Sequence, residues 1–169
     1  MTFFRFSFLF FVTEILNNLM TIETRIKQKK FKSNAEKAIV NIAYTQSYFS
    51  SKVNTVLKTH NISSQQFNVL RIIKGQHPKP VSIGDITTRM IDKMSNTSRL
   101  IHRLEKKHLV QRVNNPFDGR QINVFLTLRG TQILKKLNVL VDNVVNDHSH
   151  LSEEELIELN RLLDKIRIE

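Results

Sequence analysis

The stretch SNTSRLIHRLEKKHLV, residues 95–110, carries the densest polar chemistry in the chain. At 100° per residue, Ser95, Arg99, His102 and Lys106 fall within a narrow arc, with Arg103 and Lys107 toward its edge. Thr97, Leu100, Ile101 and Leu104 cluster on the other side. A helix face of this kind has two readings. It is either a solvated surface or a surface for a polyanion, with short polar side chains near base edges while Arg and Lys neutralise phosphates.

Context favours the second reading. RVNNPFDGRQINVFLT, residues 112–127, follows within a few residues and reads as a β-hairpin: Pro116, Asp118 and Gly119 form turns, and Val124 and Leu126 suit a strand. Its tip carries an acid and an arginine with nothing apolar to fold over. A basic hairpin beside a groove-reading helix points toward the adjoining minor groove, whose narrowed A-tracts attract inserted arginine, so Arg120 is the expected reaching residue. Asp118 has the wrong sign for phosphate. It is expected to pair with Arg120, or with an arginine of the preceding helix, and to orient it, unless it serves a simple Asp-Gly turn.

Catalysis finds little in this sequence. There is no Gly-rich phosphate loop, no H-E-x-x-H and no nucleophile elbow, and the six histidines lack carboxylates at a convincing ligand or triad spacing. The nearest exception is NDHSH, where Asp147, His148 and His150 suit zinc in composition, although such a pair near a helix end more often caps or solvates it. No metal, no cofactor and no enzymatic activity are expected. Absence of cysteine removes disulfides, thiol redox switching and cysteine-ligated zinc, and suits a cytoplasmic protein.

The elements that must position these residues are mostly helical, as four Gly, three Pro and long apolar periodicities imply. Residues 34–58 keep Ala35, Ile39, Ile42, Phe49, Val53 and Val56 on one face of a long helix. Ser63 and Gln66 form a capping-box pattern opening a second helix, which GQHPKP ends. Ser82 and Asp85 open a short third helix, and DKMSN turns the chain into the segment at residue 95. After the hairpin come a long helix from about Leu128 to Asp147 and a last one opened by the Ser152–Glu155 capping box.

Charge is distributed unevenly. The net charge is +11, and residues 59–130 hold 12 Lys and Arg against 4 Asp and Glu, residues 1–58 hold 9 against 3, and the remainder reverses to 5 against 8. The positive field therefore covers the middle and front, which suits a polyanion partner. FFRFSFLFFV near the start is too short for a bilayer span of roughly 20 residues, and has no convincing signal-cleavage site. The biological start is expected at Met20, with residues 1–19 an upstream apolar extension and no membrane partner. A membrane-associated chain held by those residues is the competing expectation.

MSNTSRLIHRLEKKHLVQRVNNPFDGRQINVFLTLRG, residues 94–130, with SSQQFNVLRII and VSIGDITTRM upstream, resembles the MarR family of winged helix-turn-helix regulators. The likeness runs from about residue 34 to the end. It implies a mainly α fold with a small β-hairpin wing: N-terminal dimerisation helices in residues 20–58, a DNA-binding lobe in 59–130 and C-terminal dimerisation helices in 131–169. By this resemblance the groove-reading segment comprises Ser95, Asn96, Thr97, Ser98, Arg99, His102, Arg103, Lys106 and Lys107, with Asp118 and Arg120 as the wing pair. It also implies release of DNA by a small ligand, often an aromatic acid, in a pocket lined by residues such as Ile42, Tyr48 and Phe67. One departure stands out: His108 occupies a position usually held by glycine, which suits the left-handed turn after a helix.

The function expected is therefore a dimeric, sequence-specific regulator, a ligand-responsive repressor acting on a pseudo-palindromic operator. The outer helices support the dimer, because Ile133, Leu137, Leu140, Val141, Val144 and Val145, then Leu156, Leu159, Leu162, Leu163 and Ile166, must either close one chain's core or meet a partner chain. The alternative is a winged-helix protein-interaction module whose basic surface binds an acidic partner without reading DNA sequence.

Overall fold

The computed structural model describes residues 21–116, 118–148 and 150–167. The expected upstream extension, residues 1–19, lies outside them. So does the side chain of His148, and with it the Asp147–His148–His150 zinc arrangement as a whole. Helices α1 (Ile22–Ile26) and α2 (Asn34–Lys58) come first, then α3 (Ser64–Gln76), β1 (Val81–Ser82), α4 (Ile83–Arg89), α5 (Thr97–Lys106), β2 (Val110–Asn114), β3 (Ile122–Leu126), α6 (Leu128–His148) and α7 (Glu153–Ile166). The fold is mainly α with a hairpin wing, as the sequence predicts. Among the described residues no helix is long and apolar enough to cross a membrane.

Two compact units divide the chain, residues 1–50 and 51–169, and the division falls within α2. In the first unit α2 opens at Ser33, whose hydroxyl accepts the Glu36 N–H at 3.1 Å while the Glu36 carboxylate accepts the Lys32 N–H at 2.5 Å. Glu23 of α1 pairs with Lys37 at 2.6 Å. This side chain-to-backbone bonding satisfies donors that a helix start otherwise leaves orphaned.

In the second unit both predicted capping boxes form, Ser63 with Gln66 and Ser152 with Glu155. Ser82 caps α4, accepting the Asp85 N–H at 3.0 Å. The core gathers Leu57, Val69, Leu70, Ile86, Met90, Ile101, Leu104, Val124 and Leu137, each almost fully buried. Val124 sits at the centre of a three-stranded antiparallel sheet ordered β1–β3–β2, facing Val81 on one side and Arg112 on the other. Strand β1 is absent from the sequence reading, since two residues after Pro80 show no alternation.

The wing is tied to the helices at three points. His108 takes a left-handed conformation, φ 59°, where α5 ends, which is the conformation that favours glycine. Thr127 links three segments: its hydroxyl donates to the His108 carbonyl at 2.7 Å and accepts the Gly130 N–H at 2.9 Å, and its N–H reaches the Leu109 carbonyl at 3.2 Å. Gly130 lies so close to Leu109 that a Cβ would sit 1.9 Å from its carbonyl oxygen. Glu105 on α5 accepts both the Nε and Nη2 of Arg112 on β2, at 2.8 and 2.7 Å. The Arg112 guanidinium holds the Glu105 carboxyl below the usual carboxylate range, against an opposing effect of burial.

The outer apolar residues divide between two fates. Leu134 and Leu137 of α6 close the core, with Ile133 and Val141 packed against it. By contrast α7 buries no residue, and Ile157, Leu159, Leu162 and Ile166 are exposed along with Val139 and Val145 of α6.

Three stability outcomes follow from the wing's attachments. Gly130→Ala should lower unfolding free energy by about 3 kcal/mol or more, because the clash is with backbone that cannot rotate away, whereas His108→Gly should raise it by about 0.5–1 kcal/mol by relieving the left-handed residue; urea unfolding of the three proteins measures both. Glu105→Gln should cost at most about 1 kcal/mol at neutral pH, the pair being one-third exposed and screened. Since the folded carboxyl titrates below its unfolded value, that contribution is complete above about pH 4.5 and fades as pH falls through the lowered folded value, so the variant and the parent should converge in acid unfolding curves.

Candidate nucleic-acid interface

The polar face of α5 is built outward from the turn before it. Asp92 clamps that turn, its Oδ1 accepting the Met94 N–H at 3.0 Å and its Oδ2 the Ser95 hydroxyl at 2.8 Å. Asn96 caps the helix, its Oδ1 accepting the Arg99 N–H at 3.0 Å. From this start Asn96, Ser98, Arg99, His102, Arg103 and Lys106 are exposed and Ser95 is half-buried. The single acid of α5, Glu105, is turned to Arg112, so no free carboxylate of the helix opposes its cations.

Two expected contact residues are placed elsewhere. Thr97 is only 4% exposed, and its hydroxyl is buried without a hydrogen-bond partner, so it faces the core with Ile101 and Leu104 and cannot touch a partner at the helix surface. Helical periodicity assigns it to that face, and packing holds it there. Lys107 follows the last residue of α5, and its ammonium turns inward to the Asn61 carbonyl and, at 3.1 Å, to Gln66 Oε1. Burial, and then the charge of Arg103, push the Lys107 pKa below the usual lysine value.

The wing tip also differs in its bonding. Asp118 does not pair with a guanidinium: its Oδ1 accepts the backbone N–H of Arg120 and its Oδ2 the Gln121 side-chain amide, each at 3.0 Å, while its carbonyl accepts the Gln121 N–H. The carboxylate therefore shapes the turn and leaves the Arg120 side chain exposed, with no ion partner among the described residues. Arg120 and Ser98 line one open recess of about 580 Å³, which places the wing tip beside the first turn of α5.

Further cations that the sequence reading did not single out extend this surface. A recess of about 670 Å³ brings Lys58 and the Ser63 cap together with Arg103, Lys106 and Lys107. A neighbouring one of about 410 Å³ adds Arg129 and Lys136. No carboxylate lines either recess. Lys58 ends α2 whereas Arg129 and Lys136 lie seven residues apart on α6, and only tertiary packing brings these two elements to recesses beside the end of α5, so overall charge was the one signal pointing to them.

The three residues expected around a ligand are distributed over both units. Ile42 and Tyr48 are exposed on the first, where Tyr48 meets Phe49 edge to face at 5.4 Å. Phe67 is packed in the core of the second, 6% exposed, with the Arg71 guanidinium 5.8 Å above its ring. Among the described residues no group of three His, Cys, Asp or Glu is placed to hold a metal ion.

Comparison with known proteins agrees with this geometry. The model of the MarR family matches residues 62–122, from the start of α3 to the second strand of the wing. The chain is 33% identical over 119 residues to the HTH-type transcriptional regulator MgrA of Staphylococcus aureus, covering 70% of this chain and 77% of that one. It is similar in fold to a MarR-like transcription regulator from Bacillus cereus, with a TM-score of 0.71, 24% identity, and 79% and 96% of the two chains covered. It is similar too to a mutant MarR from E. coli complexed with operator DNA, with a TM-score of 0.64, 24% identity and coverage of 75% and 91%. With its capped helix-turn-helix, its three-stranded wing and this similarity, the chain belongs to the MarR family of winged helix-turn-helix transcriptional regulators.

Proposed function

We propose that this DNA-binding regulator works as a homodimer that represses transcription from a pseudo-palindromic operator. The observation that carries the DNA side is the α5 surface: Ser98, Arg99, His102, Arg103 and Lys106 stand exposed in one band, and the exposed Arg120 shares a recess with Ser98. Band and wing together span a groove and its adjoining backbone, with Ser95, Asn96 and Ser98 nearest the base edges and Arg120 entering the minor groove. Thr97 supports that surface from within, and Lys107, bonded to Asn61 and Gln66, lines the recess beside it.

The dimer reading rests on the apolar residues left exposed on α7 and the far half of α6, and on Ile39 and Ile42 of α2. A second copy is the occupant that serves the DNA side, since a twofold pair sets two α5 helices about one DNA turn apart, with half-sites about 10 bp between centres. In this reading residues 20–58 and 131–169 form the dimer and residues 59–130 the DNA-binding lobe, with residues 1–19 an extension outside it. A small aromatic effector, as the family resemblance implies, would act by shifting the population of DNA-competent dimers. A cytoplasmic location follows from the DNA partner.

Arg120→Ala should weaken binding to a selected operator by about 1–3 kcal/mol, read by fluorescence anisotropy, while the mass in solution stays that of the parent. Equal affinity for that operator and for random duplex at every salt concentration would remove the sequence-specific reading. Placing a charge on the exposed stripe, as in Leu162→Asp, should convert the dimer to monomer by light scattering and reduce operator affinity at least tenfold, since a twofold site loses half its contacts; a parent protein that is already monomeric at micromolar concentration would overturn the dimer.

A further inference from the structure

The turn between α4 and α5 holds two large apolar side chains in water: Ile91 is 85% exposed and Met94 93%. Isolated exposed apolar residues are common and need no explanation. Here the backbone beneath them is fastened. The Ile91 N–H donates to Asn68 Oδ1 at 3.0 Å, the Met94 N–H to Asp92 Oδ1 at 3.0 Å, and the Ser95 N–H to the Asp92 carbonyl at 3.2 Å. Lys93 is tied back to the Thr88 carbonyl at 2.6 Å. Met94 is therefore presented outward from an ordered turn, two residues before the Asn96 cap, at the end of α5 that meets base edges first.

Its neighbours in sequence, Lys93, Ser95 and Asn96, are all polar or charged. The edges of base pairs in a major groove are likewise donors and acceptors, with one apolar exception, the C5-methyl of thymine. An unbranched thioether adapts its shape to such a contact better than a branched side chain does. From this position and chemistry we infer that Met94 reads a thymine methyl in each operator half-site, as a specificity-determining residue beyond the polar and basic set of α5. The inference rests on the DNA-binding reading above.

Deoxyuridine tests it, because replacing thymine removes the methyl and leaves every hydrogen-bonding edge in place. An operator is first selected from random duplex with the full chain, and each thymine is then replaced in turn. With the parent protein one replacement per half-site should weaken binding about three- to tenfold, the scale of one buried methyl or two. With Met94→Ala that replacement should have no effect, while replacements at other thymines act as on the parent; Met94→Leu should retain part of the sensitivity. Circular dichroism should be unchanged, since the side chain packs on nothing. If Met94→Ala and the parent respond alike at every thymine, the assignment is overturned although DNA recognition stands. If no duplex is selected at all, the DNA-binding reading fails and this one with it.

Discussion

The architecture depends on the close approach of the first turn of α6 to the backbone of Leu109. Gly130 permits it, since any side chain there would collide with the Leu109 carbonyl oxygen, and Thr127 secures it by bonding to the His108 carbonyl, to the Leu109 carbonyl and to the Gly130 N–H. This junction joins the end of the recognition helix, the root of the wing and the start of the long C-terminal helix. The polar and basic residues of α5 and Arg120 on the wing then share one frame, which rigid recognition of a duplex requires.

Charge is arranged on that frame by cancelling the acids where they would interfere. Glu105 is absorbed by Arg112, and Asp118 is absorbed by the backbone of its own turn. What remains on the outer face of α5 is polar or positive, and the cations of Lys58, Arg129 and Lys136 extend the field along the recesses beside it. A surface of this sign steers a polyanion over distances where base contacts have no effect, and the base contacts then choose among sequences. The same field makes Met94 conspicuous, an apolar side chain on an ordered turn among polar neighbours.

Much of this was legible in residue pattern because it is local. Capping at Ser63, Ser82 and Ser152 depends on a side chain reaching an N–H three residues ahead, and each cap formed as read. Left-handed His108 was legible only through the family resemblance, which places glycine there, since histidine itself carries no local signal for that conformation. Thr97 shows periodicity outranking resemblance: its place on the apolar arc predicted burial, whereas the family likeness counted it among contact residues. Two-residue β1 left no pattern to read, because its pairing with β3 supplies all of its definition.

What the sequence alone determined, then, is the order of helices, their caps, the hairpin, the basic middle and the surplus of apolar residues in the last two helices, all of which follow from side-chain type at fixed local spacing. Only the tertiary structure decided which way individual polar groups face. Lys107 turned from the helix surface to Asn61 and Gln66, more than 40 residues upstream. Asp118 chose a backbone N–H over a guanidinium, and Glu105 found Arg112 across a turn. For Lys107 and Glu105 the physical reason is shared: a charged side chain settles where its hydrogen bonds are best satisfied, and these partners are offered only once other segments have packed against it, whereas Asp118 is satisfied within its own turn.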